Sequence, residues 1–269
     1  MDFLTEIIAQ KRTRLAISRE ACPLAELRDR AAQFRLEATP HALRQALSNT
    51  ARVSVIAEFK RASPSKGAIR AHADAAEIAR DYEANGAVAI SVLTEESQFL
   101  GSLDDLREVR AAVRVPVLRK DFIFDEYQLY ETAAAGADAA LLIVAALDEQ
   151  TLTRLRGVAE EELGLDALVE VHTRDELRRA IACGASLIGV NNRDLRTFAV
   201  SLETSVELAK DLPADAIAIS ESGLRTGAVL TRLQAMGYKG FLIGESLMRE
   251  ELPGQALRRL IAEAKELIH

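Results

Sequence analysis

From residue 53 onward, short apolar runs alternate with amphipathic segments. The runs are VSVIAEF (53–59), AVAISVL (87–93), VPVLRK (115–120), ADAALLIV (137–144), ALVEV (167–171), SLIGVN (186–191), AIAIS (216–220) and GFLIG (240–244). They are rich in Val, Ile, Leu and Ala and mostly lack polar alternation, as parallel strands covered on both faces do. The segments between them include DAAEIARDYEA, LDDLREVRAAV, DEYQLYETAAA and DELRRAIAC, whose three- and four-residue apolar spacing predicts helices. Gly86, Gly136, Gly184 and Gly237 each stand between such a segment and the next strand, where glycine accepts the left-handed conformation that ends a helix.

Eight strand–helix repeats in roughly 250 residues predict an α/β protein built as one (β/α)8 (TIM) barrel. A doubly wound sheet is the alternative, but no G-x-G-x-x-G follows the first strand. Residues 1–50 precede the repeats. They predict two or three helices, broken near Pro23 and Pro40, that form an N-terminal extension packed on a catalytic barrel of residues 51–269.

Composition narrows the function. The 269-residue chain is 49 % hydrophobic and carries a net charge of −7, which argues against a nucleic-acid or anionic-membrane partner. An anionic small molecule would need a local basic cluster. Cys22 and Cys183 form no disulfide framework, and histidines 41, 72, 172 and 269 have no metal-ligand spacing. Neither metal nor cofactor is expected. The N-terminal MDFLTEIIAQKRTR has no apolar core or cleavage site, and no run approaches 18 apolar residues. A cytoplasmic protein, monomeric or a weak homo-oligomer, is expected.

Barrel enzymes carry their chemistry where strands end and the following loops gather. Here the strand ends bear Glu58 and Lys60, Lys120 and Asp121, Glu170, Asn191 followed by Arg193, and Glu221 with Ser222. Glu58 and Lys60, two apart, fall on one face. Any one of these could be a structural ion pair; five strand ends converging on one mouth point to an active site. Arg61, Lys66, Arg119 and Asp121 are expected on the rim or in packing, and His172 as a neighbour of Glu170 without a chemical role.

The last two strands end in SESG (220–223) and IGES (243–246), whose small residues let backbone N–H groups approach a phosphate. Arg193 can add a guanidinium fork. The set suits acid–base chemistry on a phosphorylated small molecule.

IAEFKRASPSKG, SVLTEESQFLGS, PVLRKDFIFDEYQLYE, LLIVAAL, LVEVH, IGVNNRDLRTF, SESGL and LIGESLM resemble, in order and spacing, the motifs of indole-3-glycerol-phosphate synthases, from about residue 50 to 249. The resemblance implies a carboxy-lyase of tryptophan biosynthesis that closes 1-(2-carboxyphenylamino)-1-deoxyribulose 5-phosphate to indole-3-glycerol phosphate. It also implies roles: Lys120 as general acid, Glu170 as its acid/base partner, and Glu58, Lys60, Asn191 and Glu221 as further active-site residues. Arg193, Ser222, Gly223, Gly244, Glu245 and Lys60 would hold phosphate. Ser63 would lie near the anthranilate carboxylate, and Phe99, Phe122, Leu141 and Ile143 around the ring. Ser63 to Gly67 would form a mobile lid.

Two departures stand out. The chain has no tryptophan to match one in the extension of some relatives, which leaves Phe3 as a replacement. Glu245 stands where some relatives have a small residue, so its carboxylate is expected to point away from phosphate. A phosphoribosyl-sugar isomerase, a Schiff-base aldolase and a non-catalytic phosphate-binding barrel are the rival readings. Strand-end lysines disfavour the first, their charge pairing the second, and the complete polar set the third.

Overall fold

The structure, a computed structural model, describes residues 3–48 and 53–267. The boundary expected at residues 50–51 lies outside these, as does His269. Eight parallel strands close into a barrel: β1 (Val55–Phe59), β2 (Ala89–Leu93), β3 (Val117–Lys120), β4 (Ala139–Ile143), β5 (Asp166–Val171), β6 (Leu187–Asn191), β7 (Ile217–Glu221) and β8 (Gly240–Ile243). Each pairs with its sequence neighbours, and β8 closes on β1 through the Val55–Phe241, Ile56–Leu242 and Ala57–Ile243 register. The strands are buried almost throughout, which accounts for their lack of polar alternation.

Helices begin on side-chain caps. Asp74, Ser102, Asp125, Asp148, Thr173 and Thr226 each accept a backbone N–H from the first turn that follows, satisfying one of the donors a helix start leaves unpaired. The four glycines predicted as helix stops all have positive φ. Inward-facing strand side chains, among them Ile56, Leu118, Leu168, Leu187, Ile219 and Leu242, fill the barrel interior.

Three helices precede the barrel: α1 (Phe3–Ala21), α2 (Leu24–Arg35) and α3 (Ala42–Ser48). Leu43 and Leu47 of α3 and Ile7 of α1 join the interior cluster of the barrel. A buried ion pair fixes α1: Lys11 Nζ lies 2.7 Å from Asp121 Oδ1, and Asp121 also receives Arg119 Nη2 at 3.0 Å. Tyr127 Oη donates to the carbonyls of Ser18 and Cys22 at the end of α1. The extension is thus tied to the segment that carries Lys120.

Candidate active site

The C-terminal ends of the strands open into a cavity of about 710 Å3. Its lining includes every residue the sequence nominates: Glu58, Lys60, Ser63, Phe99, Lys120, Phe122, Leu141, Ile143, Glu170, Asn191, Arg193, Glu221, Ser222, Gly223, Gly244 and Glu245. Of the four residues expected on the rim or in packing, Lys66 and Asp121 also line the cavity, whereas Arg119 and Arg61 are engaged elsewhere. Arg119 is buried against Asp121, Glu131 and Thr94, and Arg61 forks onto Asp105 at 2.5 and 2.7 Å.

Two lysines and three carboxylates form the floor. Lys60 Nζ lies 2.7 Å from Glu58 Oε1, so the two share a face. Lys120 Nζ lies 3.1 Å from Glu170 Oε2 and touches Glu221 Oε2. Burial pulls the Lys120 ammonium down, but Glu221, Glu170 and Glu58 more than offset it and raise its pKa above the ordinary lysine value. The two neighbouring carboxyls are driven apart. Burial pushes Glu221 up to about 7, against the pull of Lys120 and with the repulsion of Glu170 and Glu58. Glu170 is equally buried, but Lys120 and His172 hold it well below the usual carboxylate range. Environments that separate the pKa values of paired groups mark acid and base assignments.

Close backbone approach makes room for these side chains. A Cβ on Gly244 would lie 2.2 Å from Glu58 Oε1, and one on Gly189 would lie 2.2 Å from Glu221 Oε1. Gly244 therefore accommodates a carboxylate, a constraint separate from any phosphate. Two buried polar atoms at the cavity, Glu221 Oε1 and Ser63 Oγ, have no hydrogen-bond partner in the protein. A buried polar group without a partner is costly unless something else satisfies it.

Around the mouth, Phe122 packs edge-on to Phe3, with centroids 6.1 Å apart, and tilts against Phe99 at 6.4 Å. Phe3 also packs on Phe198 at 5.0 Å. The residue nominated to replace a tryptophan is thus part of the aromatic wall. Ser63 sits in a two-stranded hairpin, Ala62–Ser63 with Gly67–Ala68, directly after β1. Ser222 and Gly223 follow β7 with positive φ.

One expectation needs correction. The Glu245 carboxylate does not point away from the candidate phosphate residues; its Oε2 lies 3.1 Å from Arg193 Nη2. The opposite charge of Arg193 draws it inward. Arg193 Nη1 also donates to Ser65 Oγ at 3.2 Å, linking the hairpin to the same guanidinium. His172 lies beside Glu170 as expected, its Nε2 3.4 Å from Glu170 Oε1. Sequence reasoning also passed over Leu195 and Phe198, which line the cavity, and buried Asn192. The Asn192 amide donates to Ser220 Oγ and to the Glu221 and Ser222 carbonyls, holding the end of β7. All three lie within IGVNNRDLRTF, so the signal was present but unassigned.

A closed β/α barrel with charged and amide side chains gathered at its strand ends defines a barrel enzyme with an acid–base site. Comparison with known proteins specifies it further. The sequence model described as indole-3-glycerol phosphate synthase matches residues 4–260. An indole-3-glycerol phosphate synthase of Carboxydothermus hydrogenoformans is 46 % identical over 97 % of this chain and 100 % of its own. One of Koribacter versatilis is 48 % identical over 96 % of this chain and 98 % of its own. The chain belongs to the indole-3-glycerol phosphate synthase family, whose members are decarboxylating lyases. Among solved structures, 3-hexulose-6-phosphate synthase from Salmonella typhimurium aligns with a TM-score of 0.64 at 13 % identity, over 80 % of this chain and 99 % of that one. That likeness concerns the fold alone.

Proposed function

We propose that this site converts 1-(2-carboxyphenylamino)-1-deoxyribulose 5-phosphate to indole-3-glycerol phosphate, CO2 and water, a step of tryptophan biosynthesis. The observation that carries the reading is Lys120, buried and charged between Glu170 and Glu221 on the cavity floor. A protonated lysine there donates to the sugar carbonyl oxygen as the ring carbon attacks. Attack at the carboxylate-bearing carbon yields an iminium-like cation, which is itself the electron sink for loss of CO2. Dehydration then removes a hydroxyl with help from an acid and a ring-side proton with help from a base. Glu170, held ionised, is the base; Lys60 and Lys120 are the two candidate acids.

The remaining residues bind and orient. Arg193, Lys60 and the backbone of Ser222, Gly223, Gly244 and Glu245 take the phosphate. Phe99, Phe122, Leu141 and Ile143 enclose the ring, and Ser63, whose buried hydroxyl has no protein partner, takes the anthranilate carboxylate. Glu58 and Asn191 set the positions of Lys60 and Arg193, to which they are bonded. The hairpin from Ser63 to Gly67 acts as a lid. The substrate is small and soluble, so no nucleic-acid or membrane partner is required. A cytoplasmic location, a monomeric or weakly associated state, and a barrel beginning near residue 51 belong to the same reading. Among the described residues no helix is long and apolar enough to cross a membrane.

The direct test is a fluorescence assay with the carboxyphenylamino-deoxyribulose phosphate. The chain has no tryptophan, so protein background is low. Growing indole emission is the expected result. Folded protein that binds the compound without converting it overturns the reading in favour of a non-catalytic phosphate-binding barrel.

A further inference from the structure

Glu170 stands between two cations. Lys120 Nζ approaches its Oε2 at 3.1 Å from β3, and His172 Nε2 approaches its Oε1 at 3.4 Å from just past β5. His172 is itself held from behind. Its Nδ1 lies 3.1 Å from Glu176 Oε2, and its backbone N–H donates to the same oxygen at 2.7 Å. Glu176 belongs to the helix Arg174–Ala182, which β5 feeds, and its own N–H is capped by Thr173. The imidazole is mostly buried between two carboxylates; its Nε2 makes no hydrogen bond in the protein, and its approach to Glu170 is an ion-pair contact that favours the doubly protonated ring.

We propose that His172, braced by Glu176, is the positioning residue that keeps Glu170 aimed into the cavity and ionised during turnover. The proposal rests on Glu170 acting as the base. Lys120 cannot hold Glu170 throughout the reaction, because its proton is directed to substrate oxygen. When Lys120 turns to substrate, Oε2 loses its partner while Oε1 keeps His172. The other charged groups near this pair are carboxylates: Glu221 from β7, which repels Glu170, and Glu58 from β1, which acts on Lys120 and Glu221. The imidazolium opposes them. In keeping with that geometry, burial pulls His172 down but Glu170 and Glu176 raise it to about 10, so the ring stays charged across the neutral range.

The experiment measures kcat and KM from pH 3.5 to 9 for His172→Gln, Glu176→Gln and Glu170→Gln. Loss of the cation should raise the Glu170 pKa, so the acidic limb, which lies below the measured range in the parent, should move up into that range in the His172→Gln profile. Its kcat should fall by about 10-fold or more, with a smaller change in KM. Glu176→Gln, which leaves the cavity lining intact, should move the limb the same way by less; this variant decides the matter if His172→Gln does not fold. An acidic limb that coincides with the parent's in both folded variants overturns the proposal, whatever happens to thermal stability. If Glu170→Gln keeps full activity, the assignment of the base is what has failed.

Discussion

Lys120 Nζ is shared by two carboxylates, 3.1 Å from Glu170 and in contact with Glu221, at the end of a strand whose preceding residues are fully buried. Arg119, next to it, faces the opposite way and is consumed by Asp121 and Glu131. Strand alternation thus separates a structural cation from one that faces the cavity at adjacent positions. Replacing Lys120 by alanine should lower kcat by about 10²–10⁴-fold, the usual worth of a placed general acid. Indole fluorescence reads the loss, and circular dichroism checks that the barrel persists. Near-parental turnover would exclude Lys120 as the acid.

Glu221 makes a pH-dependent prediction. Its carboxyl rises from an ordinary 4.5 to about 7 on folding, so the folded state binds the extra proton between those values. Stability from this group is therefore full below about pH 4.5 and declines as pH rises to about 7. Glu221→Gln mimics the protonated form and escapes the penalty. The variant should be more stable than the parent above pH 7, by on the order of 2–3 kcal/mol, and similar to it near pH 4.5. Denaturant titrations at pH 4.5 and 8 supply the comparison. A difference that does not grow with pH would contradict the assignment. Activity should be lost throughout, an instance of a functional site held at the expense of stability.

Much of this was legible in the chain. Eight buried runs predict eight strands because a parallel barrel excludes polar alternation, and strand-end positions follow from the barrel rule. The site's internal pairings were not legible, because they depend on contacts far apart in sequence: Lys120 with Glu221, Lys11 with Asp121, Arg193 with Glu245. The setting of His172 was hidden for the same reason. Its spacing of two from Glu170 suggested a neighbour, but Glu176, which faces the other side of the ring, lies in the next helix. Gly189 had no local signal either; its role appears only once Glu221 arrives from the adjacent strand.

The Lys11–Asp121 pair makes the extension part of the site. Both side chains are buried, and Asp121 is held well below the usual carboxylate range: burial raises it, but Lys11 and Arg119 lower it further. Its stabilisation is present above the ordinary aspartate value and is lost as pH falls below that value toward the folded one. Lys11→Met leaves a buried carboxylate short of one partner and should destabilise the protein by about 3–5 kcal/mol. Because α1 carries Phe3 over Phe122, KM should rise more than kcat falls. Calorimetry and steady-state kinetics test the two parts. An unchanged KM in the folded variant would show that α1 stabilises the barrel without shaping the mouth.

In the proposed reading, Glu245 competes with substrate for Arg193. Its carboxylate holds Nη2 at 3.1 Å, and a phosphate that uses the same guanidinium must displace it. The pair is only partly shielded, so it is worth about 1 kcal/mol, and repulsion between Glu245 and a bound phosphate adds to that handicap. Glu245→Ser removes both effects and leaves the backbone N–H in place. KM should fall by roughly fivefold, with kcat little changed, since the interaction is far from the reacting carbons. Inorganic phosphate, used as a competitive inhibitor, should bind the variant more tightly by a similar factor. Arg193 also donates to Ser65 in the hairpin, so freeing the guanidinium acts on both the phosphate and the lid. Unchanged KM and unchanged phosphate inhibition would mean that the Arg193–Glu245 pair survives substrate binding, and that the phosphate is held by the backbone of Ser222, Gly223 and Gly244 without the arginine.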